Sequence, residues 1–503
     1  MLFMLRKIRI TLASVFFICI TLLFADFTGT LHVWFGWMAK IQFFPALLAL
    51  NAIIVIATIV ITIVFGRIYC SVICPLGVFQ DIVSWFSNKH RKNRFRYSKS
   101  ITWLRWSVLA LFIIAFIAGI HLFVALLEPY SSYGRIVSNL VAPVYHLGNN
   151  IMAYLAERVN SYAFYSTNIW VKSLSTIAVA AVTFIVIFIL AWRNGRTYCN
   201  TICPVGTTLG FLSRFSIFKI HIDAEKCSKC NLCSCNCKAS CINIEEHKID
   251  YSRCVDCMDC IGKCHHHAIS YKTMFNKTNK QYIMGQQDAM KFSANSSLRS
   301  FLSISVLFAG TTALKAQKEK LDGGLAVIKD KKIPHHATKL TPPGSLSIDN
   351  FTKHCTTCQL CISECPNQVL HPSNNLLTLM QPEMSYEKGA CRPECTRCSQ
   401  LCPSGAIKPI TREEKSSLQI GHAVWISKNC IVNTDKVSCG NCARHCPNGA
   451  IQMIKRDANK PDSPLIPVVN TERCIGCGTC EYVCPARPFS AIYVEGHEVH
   501  RKI

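Results

Sequence analysis

Cysteine spacing constrains this chain more than any other feature. Of its 31 cysteines, 24 fall into six groups of four. Four groups read C-x2-C-x2-C-x3-C: Cys227, Cys230, Cys233, Cys237; Cys254, Cys257, Cys260, Cys264; Cys355, Cys358, Cys361, Cys365; and Cys474, Cys477, Cys480, Cys484. Two looser groups lie between: Cys391, Cys395, Cys398, Cys402 and Cys430, Cys439, Cys442, Cys446. Three thiolates two residues apart wrap one face of a cubane [4Fe–4S] cluster, with amides free to donate to the sulfurs, while the fourth points toward a neighbouring cluster. Proline follows the fourth cysteine at Pro366, Pro403, Pro447 and Pro485, where it fixes the turn out of the loop. Zinc also takes paired thiols. A third cysteine at the same spacing, repeated down the chain, favours clusters. The odd cysteine count argues against a disulfide framework. With no C-x-x-C-H motif, P-loop or dinucleotide fingerprint, the chain reads as one that moves electrons.

At 503 residues there is room for two or more domains. Half the residues are hydrophobic, yet the formal charge is +25. Both facts fit a membrane protein with basic cytoplasmic loops. Four apolar stretches, 10–27, 43–65, 106–127 and 171–192, approach the roughly 20 residues of a spanning helix. Arg6, Lys7 and Arg9 precede the first; Arg67, Lys89, Arg91, Lys92, Arg94, Arg96 and Lys99 separate the second from the third; Arg193, Arg196, Arg214 and Lys219 follow the fourth. The positive-inside rule then places the N-terminus and the first two cysteine groups in the cytoplasm. A basic chain can also bind nucleic acid. Here the charge flanks apolar stretches rather than forming a basic domain, so no nucleic-acid partner is expected. The first stretch has no small-residue cleavage site after it and reads as an anchor.

The membrane part contains a repeat. Residues 66–77 read GRIYCSVICPLG and residues 195–206 read GRTYCNTICPVG. Each follows an even-numbered apolar stretch, as in a parallel duplication about an axis along the membrane normal. Each leads into an amphipathic stretch, 78–86 and 209–218, suited to the interface. The duplication brings Cys70, Cys74, Cys199 and Cys203 to one membrane face. Those thiols either form an additional metal site, or a redox-active disulfide pair, or are reduced structural cysteines. On the far side Asp26 and Glu128 end the first and third stretches. A carboxylate there either handles quinol protons or is simply interfacial. Lys40, Gln42, His121 and Tyr130 are weaker candidates for the same site.

Residues 1–270, with two C-x-x-x-C-P loops followed by two ferredoxin groups, resemble the NapH-type membrane ferredoxins of periplasmic nitrate reductase systems. Related modules occur in nitrous-oxide regulators and cytochrome-oxidase assembly proteins. Residues 320–503 are similar to the four-cluster ferredoxins of NapG and MauM type, including the lead-in PPGSLSIDNFTKHC at 342–355. The resemblance implies a fused chain that takes electrons from the membrane quinone pool and passes them to a terminal reductase or cytochrome partner. In the C-terminal part it implies that the first and fourth groups exchange their last cysteines, and likewise the second and third. The ferredoxin crossover joins Cys227, Cys230 and Cys233 to Cys264, and Cys254, Cys257 and Cys260 to Cys237. Lys238 and His265 depart from the family by standing where proline usually follows the fourth cysteine. Cys19, Cys235 and Cys241 have no place in the pattern, and His265, His266 and His267 read as a solvated turn.

Residues 301–314 form a short apolar run preceded by SLRSFL at 297–302. This is similar to a twin-arginine export signal in which Leu298 replaces the first arginine, and its length suits a signal h-region. Lys315, Lys318, Lys320, Lys329, Lys331, Lys332 and Lys339 follow it and argue for retention. The reading favoured is a fifth anchor with the C-terminal ferredoxin domain in the periplasm. The expected fold is a membrane α-helical bundle of four spans and a candidate fifth, plus α+β ferredoxin-like domains. Its parts are 1–219 (membrane), 220–272 (two clusters), 273–350 (linker, extended from about 315) and 351–503 (four clusters). Strands are expected at Ala406 and Ile407, at Ala450 and Ile451, and at Ala491 and Ile492. The chain would sit in a bacterial inner membrane as an electron relay holding six [4Fe–4S] clusters. The competing reading is an assembly or regulatory protein serving a metalloenzyme.

Overall fold

A computed structural model describes residues 2–26, 28–90, 95–161, 163–167, 173–273, 320–321, 327–328, 330–332 and 334–503. The segment 301–314, read above as an anchor, lies outside the described residues. The first part is helical. In chain order it holds α1 (Leu2–Ala25), α2 (Leu31–Lys40), α3 (Phe43–Leu48), α4 (Ala52–Phe65), α5 (Ile68–Val72), α6 (Pro75–His90), α7 (Thr102–Ile117), α8 (His121–Leu127), α9 (Pro129–Ile136), α10 (Ala142–Arg158), α11 (Leu174–Asn194), α12 (Thr197–Thr201) and α13 (Pro204–Leu212).

Four continuous spans were expected; two described helices are long and apolar enough to cross a membrane. They are Met4–Ala25 within α1, with mean hydropathy 2.3, and α11, with 2.7. The second stretch breaks between α3 and α4. Leu50 turns left-handed at φ 53°, and the Asn51 side chain caps α4 by accepting from Ile54 N. The third breaks at Gly119, φ 75°, where the Ile120 amide turns back onto Ala115 O at 2.8 Å. This leaves α4 with 14 residues and α7 with 16, roughly 21 and 24 Å long at 1.5 Å per residue. Hydropathy does not register such breaks, because Leu50 and Gly119 are not polar.

The helical part is apolar on its outside. Ile53, Ile56 and Val60 on α4, Leu111, Ile114 and Ile117 on α7, and Val182, Ile185 and Ile189 on α11 are all exposed. Its interior holds Arg67, Arg135 and Arg196 at 0 % exposure, together with Leu23, Phe24, Leu76, Tyr130 and Leu209. Patches of that extent mark a surface made to be covered.

Two ferredoxin parts follow. In the first, β1 (Phe218–Ile222) pairs antiparallel with β4 (Ile269–Thr273), and β2 (Ile242–Asn243) pairs with β3 (Lys248–Ile249). Beyond it, β5 (Lys320–Leu321) meets β6 (Val327–Ile328). In the C-terminal part β7 (Leu370–Pro372) pairs with β8 (Pro382–Met384), β9 (Leu418–Trp425) with β12 (Ile492–Lys502), and β10 (Ile451–Lys455) with β11 (Leu465–Val469). Strands thus begin at Ile451 and Ile492 as expected. Ala406 and Ile407 form none, because Gly405 bends the chain at φ 72° and the Ile407 amide turns to Cys402 Sγ at 3.4 Å. The extended linker also ends early. Leu340 is buried in the C-terminal core, and its carbonyl accepts from Met384 N at 3.0 Å.

The two ferredoxin parts touch opposite ends of α1. Near its start, Arg6 Nε meets Asp259 Oδ1 of the first part at 2.8 Å. Beyond its end, Gly29 lies against Arg397 and His32 faces Glu364, both of the C-terminal part. A helix of 24 residues is about 36 Å long.

Candidate redox centres

The cysteines gather in six pockets, each built from two groups. Cys227, Cys230, Cys233 and Cys264 line one. Cys254, Cys257 and Cys260 share another with Cys237. Both match the expected crossover. In the C-terminal part the expected exchange is corrected. Cys430, Cys439 and Cys442 line a pocket with Cys484, and Cys474, Cys477 and Cys480 line one with Cys446. Cys355, Cys358 and Cys361 face Cys402, while Cys391, Cys395 and Cys398 face Cys365. The first group therefore pairs with the second, and the third with the fourth. The physical reason is packing: a fourth cysteine points away from its own pocket, and the fold brings it to the pocket of the adjacent group.

Backbone amides aim at these sulfurs. Ala268 N reaches Cys264 Sγ at 3.3 Å, Val369 N reaches Cys365 Sγ at 3.4 Å, Ala450 N reaches Cys446 Sγ at 3.3 Å and Ala491 N reaches Cys484 Sγ at 3.3 Å. Such donors favour thiolate and reduced cluster. Burial pushes the Cys260 and Cys361 thiols well above their ordinary range, so metal-free thiolates would be costly there. Lys415 Nζ sits 3.2 Å from Cys391 Sγ and 2.6 Å from Arg392 O. It is one of the residues the sequence reading missed. Cys241 is another: its sulfur lies 3.6 Å from Cys237 Sγ and also contacts Cys254, a fifth thiol at that pocket. His265, His266 and His267 are exposed in a turn, as read.

The repeated loops bring Cys70, Cys74, Cys199 and Cys203 together inside the helical core, each at most 4 % exposed. The shared motif explains how. Gly66 and Gly195 end α4 and α11 at φ 78° and 69°, which a side chain would resist. Their two arginines cross over: Arg67 Nη2 reaches Cys199 O at 3.3 Å, and Arg196 Nη1 reaches Cys70 O at 2.7 Å. A Cβ on Gly77 would lie 2.2 Å from Cys70 O, and one on Gly206 2.2 Å from Cys199 O. Tyr69 receives Phe43 N at 2.9 Å and donates to Gln42 at 3.0 Å, while Tyr198 donates to Leu127 O at 2.9 Å. The shared glycines, arginines and tyrosines therefore hold the loops around the thiols. Among the described residues no three cysteine sulfurs lie within 4.8 Å of one another, a wider spread than the roughly 3.8 Å between sulfurs around one tetrahedral zinc.

Residues 47–94 and 176–223, the two repeats, each match the family described as "4Fe-4S binding domain", and residues 437–487 match "4Fe-4S dicluster domain". The methylamine utilization ferredoxin-type protein MauM of Methylophilus methylotrophus is 32% identical over 166 residues, covering 32% of this chain and 72% of that protein. The chain belongs to the ferredoxin-type family. The ferredoxin-type protein NapF of Escherichia coli is 29% identical over 161 residues, 31% of this chain and 87% of its own length. An uncharacterized protein of Methanocaldococcus jannaschii is 24% identical over 232 residues, 45% of this chain and 72% of its own. No solved structure matches.

In this ferredoxin-type chain the pockets form a series. Asp256 of the Cys254 pocket accepts from Arg67 N at 3.0 Å, and Lys238 O accepts from Arg196 N at 2.8 Å, seating the first ferredoxin part on both repeated loops. On the other side, Cys358 O lies against Gly134, and Tyr130 sits between Cys358, Cys402, Glu128 and Tyr69. Farther on, Cys391 N donates to Cys477 O at 3.0 Å. Both far-side acids are engaged by backbone amides, and Glu128 is the N-cap of α9. Asp26 accepts from Thr28 N and Leu31 N, and Glu128 accepts from Tyr130 N and Ser131 N. Of the other far-side candidates, His121 and Gln42 are buried and Lys40 is exposed.

Ion pairs complete the seat of the first part. Asp81 meets Arg9, Arg196 at 2.6 Å and Lys238 at 3.0 Å. Burial alone would raise its carboxyl, but Arg196, then Lys238 and Arg9, hold it far below the usual range. Asp259 is likewise buried, yet Lys238 and Arg6 hold it at about 2.

Proposed function

We propose that this protein is a membrane-spanning electron conduit of the ferredoxin type. Six [4Fe–4S] clusters would occupy the six cysteine groups, two on the cytoplasmic side in residues 220–272 and four on the periplasmic side in 351–503. The part comprising 1–219 would lie in a bacterial inner membrane, its exposed apolar faces on α4, α7 and α11 covered by lipid. Cys70, Cys74, Cys199 and Cys203 would hold a further redox centre linking the two sides. One observation carries this reading: the ferredoxin parts sit at opposite ends of α1, with the four buried thiols on the route between the Cys254 and Cys355 pockets.

The residues fit the group they would hold. Four thiols line each pocket, with Cys241 as a fifth beside Cys237 and Cys254, amides point at the sulfurs, and Lys415 adds a positive charge at one pocket. Bound clusters would supply one-electron redox chemistry. The protein's own part is to fix spacing, exclude water and set potentials through hydrogen bonds and charge. The donor we propose is membrane quinol and the acceptor a reductase or cytochrome, as the resemblance to NapH-type and NapG/MauM-type proteins implies. Asp26 and Glu128 are engaged by backbone amides, so we assign them no proton role.

Full-length protein in sealed proteoliposomes tests the conduit. Dithionite added outside, which crosses lipid poorly, should bleach the absorbance of all clusters in the wild type. In Cys70→Ser/Cys199→Ser protein bleaching should stop at the outward-facing share. Partial bleaching of the wild type, or complete bleaching of the variant, overturns the reading. Iron near 24 per chain would match six clusters. A reduced menaquinone analogue that leaves the clusters oxidised would remove quinol as donor and favour the assembly or regulatory role.

A further inference from the structure

Outside the cysteine pockets, one group of described side chains draws its ligating atoms within 4.8 Å of one another: Asp26, His32 and Glu364. Asp26 follows α1 and His32 lies in the first turn of α2. Glu364 comes from the C-terminal ferredoxin part, between the short helix Leu360–Ser363 and Cys365. The group therefore bridges two parts of the molecule.

Glu364 is 3 % exposed, and among the described residues neither of its carboxylate oxygens has a hydrogen-bond partner. His32 Nδ1, also without a hydrogen bond among the described residues, faces Glu364 Oε2 at 3.8 Å. Asp26 is held in place by its own loop. Its Oδ1 accepts from Thr28 N at 2.8 Å and Thr28 Oγ1 at 2.7 Å, and its Oδ2 accepts from Leu31 N at 3.0 Å. Two carboxylate oxygens offer about four acceptor directions, so Asp26 retains capacity. Arg397 acts on Glu364 through space but gives it no hydrogen bond.

A buried carboxylate without a donor, next to a second carboxylate, is strongly disfavoured unless a proton or a cation neutralises it. One imidazole and two carboxylates within a single ion's reach make a donor set for a divalent first-row metal. We propose that Asp26, His32 and Glu364 bind one divalent cation of the Mn2+, Fe2+ or Zn2+ class, which ties the C-terminal ferredoxin part to the end of α1. Protein provides three ligands from two parts, and water completes the shell.

Mn2+ is the probe, because it is distinct from cluster iron. Full-length protein in detergent, washed with chelator under anaerobic conditions, is titrated with Mn2+ while free Mn2+ is followed by electron paramagnetic resonance. One tight equivalent per chain is expected. Glu364→Gln and His32→Gln should each weaken it at least about tenfold, the scale typical of lost metal-site interactions, with cluster iron and visible absorbance unchanged. Arg397→Gln, which removes a repelling charge, should tighten binding. Bound Mn2+ should also speed spin relaxation of the reduced cluster beside Cys365. No Mn2+ uptake by the wild type, or uptake unaltered in both ligand variants, overturns the proposal and leaves a shared proton as the neutralising species.

Discussion

The two ferredoxin parts are wired alike and seated differently. In each, neighbouring cysteine groups trade their fourth ligand. The first part is seated on the helices by charge: Asp81 with Arg9, Arg196 and Lys238, and Asp259 with Arg6 and Lys238. The C-terminal part is seated by apolar packing, with Cys358, Leu360 and Leu401 in the helical core, and by hydrogen bonds between side chains. Arg135 Nη1 donates to Thr357 at 3.0 Å, Asn139 Nδ2 to Gln359 at 2.8 Å and Ser363 to Ser138 at 3.0 Å. A buried charge network fails as a unit when one member is lost, whereas a hydrogen bond between neutral side chains contributes about 1 kcal/mol and one from a cation such as Arg135 about 1.5–3 kcal/mol. The first part is thus integral to the helical fold, and the C-terminal part is a docked unit.

Asp81→Asn attacks the charged seat and should have the largest effect. It leaves Arg196 and Lys238, 0 % and 10 % exposed as side chains, without that carboxylate. Breaking a buried pair in this way is worth about 3–5 kcal/mol. Denaturation followed by cluster absorbance should show the Cys227 and Cys254 sites lost first, with the C-terminal sites retained. Wild-type stability would mean that the ion pairs do not hold this seat.

The two parts also use a lysine in opposite ways. Lys238 follows a ligand cysteine and meets carboxylates at 3.0 Å on either side. Lys415 meets a ligand sulfur instead. Lys415→Met should therefore leave docking intact and lower the potential of the Cys391 cluster, since a positive donor favours the reduced state. A charge-assisted hydrogen bond of about 1.5–3 kcal/mol corresponds to roughly 65–130 mV at 59 mV per decade. Redox titration by electron paramagnetic resonance measures it. An unmoved potential would reduce Lys415 to a clamp on Arg392 O.

Much of this was legible in the cysteines. Spacing alone marked out the cysteine groups, four of them as C-x2-C-x2-C-x3-C, and the pockets in residues 220–272 follow the ferredoxin crossover. The repeat of GRxYCxxxCPxG pointed to four thiols at one membrane face, and the structure buries them together inside the helical core. The exchange in the C-terminal part was not legible, since which pocket a fourth cysteine reaches depends on how the groups pack. Nor were the breaks at Leu50 and Gly119, which hydropathy passes over. Lys415, Cys241 and the Asp26–His32–Glu364 group were missed for a common reason. Their partners lie from a few residues to hundreds of residues away with no fixed spacing, so no local pattern signals them.

The smallest expected effect is the sharpest probe of the docked seat. Asn139 Nδ2 donates both to Arg135 O at 2.8 Å and to Gln359 Oε1 at 2.8 Å. Asn139→Ala removes that bridge without creating a buried charge, so the expected loss is about 1 kcal/mol. That corresponds to a roughly fivefold rise in the population of the undocked C-terminal part, if docking is a local equilibrium. Hydrogen exchange of the amides from Thr356 to Glu364 should quicken by that factor, while those in 220–273 stay unchanged. Equal acceleration in both parts would show that the two seats open together, and the contrast between an integral and a docked ferredoxin would fail. Acceleration confined to 356–364 would instead locate the weakest contact of the molecule at the junction between the helices and the Cys355 pocket.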